Sequence, residues 1–154
     1  MNRRTSVPVV GITDVLPRKS AGHHVDRPTI LVVDDECAIA DTLSEILARS
    51  GYNTLTAYDA ASALEAALLH PPEVLVTDVI LPGMSGIELA ISIRRIFPDC
   101  KVILFSGNAA TSSLLASATR GGHNFALLNK PVHPPEMLSR IAECIRPQAG
   151  ARAS

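Results

Sequence analysis

The sequence predicts an α/β fold in which five helices cover both faces of an open, doubly wound sheet of five parallel strands. Short apolar runs rich in β-branched residues alternate with segments whose apolar residues recur every three or four positions, which is typical of parallel sheets with helical connections. The first run, TILVV at Thr29–Val33, is continuously apolar after its first residue, as a strand buried on both faces should be. A chain of 154 residues is too short for a closed eight-stranded barrel, which leaves an open sheet.

The first two helices are predicted from an apolar stripe and from a capping residue. Positions i, i+4, i+7 and i+8 of the first helix are apolar, namely Ile39, Leu43, Ile46 and Leu47. Gly51 can end this helix, and the more polar run Asn53–Ala57 is predicted as a strand at the sheet edge. Asp59 can N-cap an alanine-rich helix over 60–70, which two prolines end.

The third helix carries the clearest start signal of the chain. It follows the strand Val74–Thr77, and Ser85 with Glu88 has the spacing of a capping box. The helix ends before Pro98, and its predicted buried residues are Leu89, Ile93, Ile96 and Phe97.

Two further strand–helix pairs complete the pattern. Lys101–Phe105 is the fourth strand and precedes a helix around 112–120. Phe125–Leu128 is the fifth strand, and two prolines beginning at Pro134 open the last helix. The predicted apolar stripe of that helix is Leu138, Ile141, Ala142 and Ile145.

Composition places the chain among ordinary globular proteins. Apolar residues make up 47%, and the net charge is −1, which excludes wholesale disorder and gives no global electrostatic basis for binding nucleic acid or membranes. Residues 1–28 carry five basic against two acidic residues and lack a lasting periodicity, so we expect a flexible basic tail. The predicted domain is 29–146, followed by a short tail at 147–154. With no signal peptide or membrane-spanning run, we expect a cytoplasmic protein.

Polar residues follow four of the predicted strands at their carboxyl ends. Three acids follow the first strand, one acid the third, a serine the fourth and a lysine the fifth. Ligands of doubly wound sheets bind outside the carboxyl ends of the strands, so we expect these side chains to converge. The set comprises Asp34, Asp35, Glu36, Asp78, Ser106 and Lys130.

The chemistry of this set favours phosphoryl transfer. Clustered carboxylates repel one another, and Mg²⁺, which prefers carboxylate oxygens, would remove the conflict. Lys130 and Ser106 would complete a cradle for a phosphoryl group, and Asp78 is the candidate nucleophile for an aspartyl phosphate. Neither GxGxxG nor GxxxxGK[ST] occurs, which argues against a nucleotide cofactor. A plainer reading of Asp34 and Asp35 is an N-cap pair for the first helix, with Glu36 as a first-turn charge.

From Thr29 to about Arg146, the chain resembles the receiver domain of bacterial two-component response regulators, the CheY-like family. Four motifs carry the resemblance: VVDDE at 32–36, VTDVILPGMSG at 76–86, LFSG at 104–107 and NKP at 129–131. The resemblance implies a flavodoxin-like sheet with strand order 2-1-3-4-5. It also implies transfer of a phosphoryl group from a histidine kinase or phosphotransfer protein to Asp78, with at most slow self-dephosphorylation rather than enzymatic turnover.

The resemblance further implies individual roles at the site. Asp35 and Asp78 would bind Mg²⁺ directly, Asp34 would do so mostly through water, and the backbone carbonyl of Ile80 would be a further ligand. Ser106 and Lys130 would contact the phosphoryl group, and the Lys130–Pro131 peptide bond would be cis.

Two departures from the family shape the functional expectation. Leu127 occupies the position, three before the lysine, where receivers often carry Tyr or Phe; the nearest aromatic residue, Phe125, lies on the same face by strand alternation. Signalling should therefore pass through Ser106 and the loop at 107–111. Only RPQAGARAS follows Ile145, so we expect a stand-alone receiver that signals through altered protein contacts, without binding nucleic acid.

Three alternatives stay open at the level of sequence. The chain could be the receiver part of a DNA-binding regulator, or an interaction module that works without phosphorylation. A metal-dependent phosphohydrolase would need a further acid or base close to Asp78, and Ile80 two positions later argues against that activity.

Overall fold

A computed structural model describes residues 27–107, 111–123 and 125–146, with only the backbone for 111–114. Nearly all of the predicted tails at 1–28 and 147–154 lies outside these ranges. The centre of the proposed signalling loop, at 108–110, lies outside them as well.

The described chain forms one parallel sheet of five strands in the order β2-β1-β3-β4-β5. This order is the one implied by the family resemblance, and it places the more polar second strand at an edge as predicted. The third and fourth strands are one residue longer than predicted, and the fifth begins one residue later. The strands are β1 Thr29–Val33, β2 Asn53–Ala57, β3 Val74–Asp78, β4 Lys101–Ser106 and β5 Ala126–Asn129.

Five helices connect and follow the strands, as predicted. The Asp59 carboxylate accepts a hydrogen bond from the Ser62 N–H at 2.7 Å, and Ser85 with Glu88 forms the predicted capping box. Gly51 follows the first helix with a φ of +102°, a conformation that favours glycine. The helices are α1 Cys37–Arg49, α2 Ala60–Leu69, α3 Gly86–Ile96, α4 Thr111–Arg120 and α5 Pro134–Ile145.

Each face of the sheet has its own apolar core. Successive residues of β1 alternate between the two cores, because side chains of a strand point to opposite faces. One core packs under α1 and α5, and its helical members are Ala40, Leu43, Leu47, Met137 and Ile141. The other core packs under α2, α3 and α4, with helical members that include Ala63, Ala67, Leu89, Ile93 and Ala118. The sheet is therefore doubly wound, as the sequence predicts.

Two residues predicted to be buried are exposed. Ile96 is 48% exposed; it is the last residue of α3 and lies beside the prolines that precede β3. Ala142 is also exposed, and Met137, which was not predicted, is fully buried. The other predicted residues of the α5 stripe, Leu138, Ile141 and Ile145, do pack in the core. The predictions for Ile96 and Ala142 were wrong because helical spacing does not locate the surface that a helix covers.

Strand register brings the candidate site residues together at the carboxyl ends of the strands. Val33 lies opposite Thr77, Asp78 opposite Phe105, and Ser106 opposite Asn129. The residues that directly follow β1 and β5 therefore meet the last residues of β3 and β4. Within the described ranges, no helix has the length and apolar character needed to cross a membrane.

The capping box at the start of α3 provides a test of the local folding signals. Ser85→Ala should lower the free energy of unfolding by about 1 kcal/mol, because the Glu88 N–H loses its side-chain acceptor. Urea denaturation measures this change. Ser139→Ala, at an exposed position inside α5, is the control and should stay within about 0.5 kcal/mol of the unmodified chain. Equal effects of the two substitutions would contradict the assigned cap.

Candidate functional site

Asp78 lies at the centre of the predicted cluster with a hydrogen-bond donor on each carboxylate oxygen. It is the last residue of β3 and is 6% exposed. The Lys130 ammonium donates to Oδ2 at 2.8 Å, and the Ile80 N–H donates to Oδ1 at 3.0 Å. Charge-assisted hydrogen bonds of this kind are stronger than neutral ones. They fix the direction in which the carboxylate faces.

Asp34 is a fully buried carboxylate with one oxygen left without a hydrogen bond. Its Oδ1 accepts the Glu36 N–H at 2.9 Å, but Oδ2 has no hydrogen-bond partner, although Lys130 Nζ lies 3.5 Å away. Burial raises the pKa of Asp34 above its ordinary 3.8, and the Glu36 amide and Lys130 offset only part of this effect. The ion pair with Lys130 offsets part of the cost of burying this charge, and a bound metal ion would offset more of it.

The three aspartates have the arrangement that a hard divalent cation requires. One carboxylate oxygen from each of Asp34, Asp35 and Asp78 lies within 4.8 Å of the others. The unsatisfied oxygen of Asp34 and the exposure of Asp35 leave ligand atoms for an ion that enters from solvent. Mg²⁺ binds carboxylates in this way and keeps several waters, so the residues fit it.

The first helix corrects the plainer reading of the two adjacent aspartates. The N-cap residue of α1 is Glu36, and no side chain makes a capping hydrogen bond there. Asp34 instead accepts the amide of Glu36, two residues later. The prediction of an Asp34–Asp35 N-cap pair was therefore wrong, since the chain turns into the helix after both aspartates.

Lys130 joins the end of β5 to the acidic cluster. Its backbone N–H donates to the Ser106 carbonyl at 3.1 Å, and its side-chain ammonium lies 5.4 Å from the Phe105 ring centroid. Burial alone would lower the pKa of Lys130, but the hydrogen bond and charge of Asp78 outweigh it, and the pKa lies above its ordinary 10.5. The ammonium therefore stays charged. The Lys130–Pro131 peptide bond is cis, as the family resemblance implies.

The remaining predicted positions lie at or after the carboxyl ends of β3 and β4, or contact one of the two cores. Ser106 is the last residue of β4 and is 5% exposed, and Ile80 is exposed next to Asp78. Leu127 and Phe125 contact the same core, which confirms that they share a face. The Phe125 ring lies between the Arg94 guanidinium, 5.3 Å away, and the His123 ring, 5.8 Å away.

Two contributors to the site, Thr77 and Gly86, were missed by sequence reasoning. The Thr77 hydroxyl donates to the Asp78 carbonyl at 2.9 Å. A Cβ atom on Gly86 would lie 1.9 Å from that carbonyl oxygen, so only glycine allows α3 to approach this closely. In the sequence, the signal that could have indicated this close approach is a glycine directly after the capping residue Ser85. Glu36, interpreted as a first-turn charge, places Oε1 3.8 Å from Lys130 Nζ.

Comparison with known sequences identifies the family of this arrangement. A sequence model described as the response regulator receiver domain matches residues 30–142. The probable transcriptional regulatory protein TcrX of Mycobacterium tuberculosis is 36% identical over 118 residues, which cover 77% of this chain and 50% of that protein. The chain thus spans about half the length of the curated relatives it matches.

Solved structures agree in fold. The receiver domain protein (CheY-like) from Methanospirillum hungatei is 30% identical with a TM-score of 0.70, over 77% of this chain and 93% of that one. The two-component transcriptional regulator AraC from Clostridium phytofermentans is 33% identical with a TM-score of 0.68, over 82% of this chain and 98% of that one. Both coverage values show that the similarity extends over the whole sheet rather than one motif.

The buried Asp34 carboxylate predicts a specific pH dependence of stability. Because the folded chain holds a proton on Asp34 more tightly than the unfolded chain, stability without metal should fall as pH rises through the folded pKa of Asp34. Asp34→Asn should remove this loss. At pH 7 in EDTA, the variant should be more stable than the unmodified chain by roughly 1 kcal/mol or more, as measured by urea denaturation.

A matched control separates this effect from general charge removal. Asp99→Asn removes an exposed aspartate between α3 and β4 and should change stability little at either pH. Adding Mg²⁺ should stabilise the unmodified chain and the Asp99 variant more than the Asp34 variant. An Asp34→Asn protein that is less stable than the unmodified chain in EDTA would show that the buried charge of Asp34 does not destabilise the folded chain.

Proposed function

Because the chain belongs to the response regulator receiver domain family, we propose that it accepts a phosphoryl group on Asp78 from a phosphohistidine of a kinase or phosphotransfer protein. The observation that carries the proposal is the hydrogen bond between the Lys130 ammonium and the nearly buried Asp78 carboxylate, beside two further aspartates. Receivers of two-component systems are phosphoacceptors rather than typical enzymes, and such partners are characteristic of the family.

In the proposed reaction, an oxygen of the Asp78 carboxylate attacks the phosphorus of the donor. A P–O bond forms while the P–N bond to the donor histidine breaks, and the imidazole nitrogen leaves with the electron pair and takes up a proton. Lys130 already holds an Asp78 oxygen at 2.8 Å, so its ammonium can follow the charge onto the phosphoryl oxygens. Ser106, almost buried at the end of β4, would donate its hydroxyl to another phosphoryl oxygen.

Receiver domains bind Mg²⁺ at an acidic pocket, and this chain has three clustered aspartates there. We propose Asp35 and Asp78 as direct ligands, Asp34 as a ligand mostly through water, and the Ile80 carbonyl as the backbone ligand. When bound, the ion supplies positive charge that offsets repulsion between carboxylates and phosphoryl oxygens. The chain's own contribution is to hold these carboxylates at the carboxyl ends of two neighbouring strands, β1 and β3.

The proposed unit of function is 29–146, with 1–28 and 147–154 as tails that the phosphoryl chemistry does not require. We propose signalling through altered protein contacts, with hydrolysis of the aspartyl phosphate no faster than slow self-dephosphorylation. The exchange would take place in the cytoplasm, where histidine kinases use ATP. A truncated chain of residues 27–146 that retains phosphorylation would support this division.

A second candidate is favoured by the lengths of the relatives. The curated proteins matched here include transcriptional regulatory proteins, and this chain spans about half of each. The same receiver could therefore regulate a DNA-binding segment. An immunoblot of the native protein decides between the two: a species of 154 residues favours separate protein targets, and one about twice as long favours the regulator.

Phosphorylation should be specific to Asp78. Incubation with Mg²⁺ and acetyl phosphate should add the mass of one phosphoryl group to the intact chain, and the adduct should be labile to hydroxylamine, as acyl phosphates are. Asp78→Asn should abolish the adduct. The Asp99→Asn control should be modified like the unmodified chain, since Asp99 is exposed on the α3–β4 connection. An adduct that survives in the Asp78 variant would refute the assignment.

Lys130 should matter for the response to phosphorylation more than for metal binding. Lys130→Ala removes a positive charge beside the carboxylates, so Mg²⁺ affinity measured by calorimetry should be equal or higher. Amide NMR shifts of Ser106 and Gly107 on adding beryllofluoride, which stands in for the phosphoryl group, should shrink. Lys101→Ala, at the exposed start of β4, serves as the control. A large loss of Mg²⁺ affinity would contradict this role.

A further inference from the structure

Glu36 is an acidic side chain beside the cluster of aspartates, and neither the phosphoryl chemistry nor the metal ligands proposed above use it. Its backbone N–H donates to the Asp34 carboxylate at 2.9 Å, which anchors the first residue of the turn into α1. Its own carboxylate lies 3.8 Å from Lys130 Nζ and is 65% exposed. The backbone of Glu36 is therefore anchored to Asp34 and its carboxylate lies near Lys130, while the side chain still faces solvent.

The carboxylates around Lys130 form a series from the inside outwards. Asp78 contacts the ammonium at 2.8 Å, Asp34 at 3.5 Å and Glu36 at 3.8 Å. The first two are buried, and Glu36 is the outermost. Together with the exposed Asp35, which belongs to the same cluster, these are four acids beside one lysine, so the cluster carries an excess of negative charge. A bound divalent cation would neutralise the inner acids more than the outer Glu36, because Coulomb interactions fall with distance.

The negative charge of Glu36 acts differently on different phosphoryl donors. A free acyl phosphate carries two negative charges and has no group of its own that compensates the charge of Glu36. A donor protein can place its own lysine or arginine opposite Glu36 while it presents the phosphohistidine. The same carboxylate would thus repel the first donor and attract the second.

We propose that Glu36 is a specificity-determining residue that disfavours dianionic phosphoryl donors relative to donors that carry a compensating positive charge. The inference rests on the proposed function of Asp78 as phosphoacceptor. Glu36 acts in two ways: its charge repels the approaching anion, and it competes with that anion for the Lys130 ammonium. Both effects are electrostatic, so both should weaken as salt screens the exposed carboxylate.

The test compares donors of different charge on the full chain at saturating Mg²⁺. Glu36→Gln should increase the rate of phosphorylation by acetyl phosphate about threefold at low salt, in the range expected for one exposed charge pair. The increase should be smaller with phosphoramidate, which carries its own ammonium group. It should largely vanish at high salt. Glu36→Asp, which keeps the charge, should restore most of the discrimination against acetyl phosphate.

Beryllofluoride gives a readout that does not depend on phosphoryl transfer. Its complex with Mg²⁺ should bind more tightly to Glu36→Gln than to the unmodified chain, as measured by calorimetry. The matched control is Glu45→Gln on the same helix, whose carboxylate pairs with Arg49 at 2.7 Å on the exposed surface. This control makes the same change in net charge and should alter neither the donor preference nor the beryllofluoride affinity.

The possible results distinguish the proposal about Glu36 from the proposal that Asp78 is the phosphoacceptor. If the unmodified chain and Glu36→Gln are phosphorylated at equal rates by both donors, the role of Glu36 is overturned while that of Asp78 stands. A slower reaction of Glu36→Gln with acetyl phosphate also overturns it. If no donor modifies any of these proteins, the proposed function fails and the inference about Glu36 fails with it.

Discussion

The repulsion among acidic side chains at the carboxyl ends of the strands is the constraint on which the rest of this structure depends. Asp34 is fully buried with one unsatisfied oxygen, and Asp78 is almost buried a few ångströms away. Each charge would favour unfolding if it were left alone. Lys130 reaches across from the loop after β5 and satisfies Asp78, so the last strand and the central strand are joined by the same contact that holds the site together.

The apolar sheet makes this arrangement tolerable. The side chains of β3 and most of those of β1 and β4 are buried on both faces, and burial contributes about 25 cal/mol per Å² of apolar surface. A framework with two cores can therefore hold a few unfavourable charges at its edge without losing the fold. Close packing at Gly86 and the Thr77 hydroxyl hold the backbone of Asp78 in place, which keeps its carboxylate directed at Lys130.

Local patterns were sufficient for the elements and for most of the site. The caps at Asp59 and Ser85 and the strand order follow from residues close in sequence or from the family motifs. Predictions about burial failed at two positions: Ile96, the last residue of α3, is exposed, and on α5 Ala142 is exposed while Met137 is fully buried. Periodicity identifies an apolar stripe, but the opposing surface decides which of its members are covered.

The sequence by itself determined the fold class, the strand-end position of each chemical group and the family to which they belong, because hydrophobic period and short motifs are local properties. Tertiary structure alone decided the distances. The 2.8 Å contact of Lys130 with Asp78 spans 52 positions of sequence, and the approach of Glu36 to Lys130 spans still more. The burial of the Asp34 carboxylate likewise exists only in the folded chain, where packing covers a charged side chain that the sequence alone would place at the surface. Such contacts depend on strand register and packing, which no local pattern encodes.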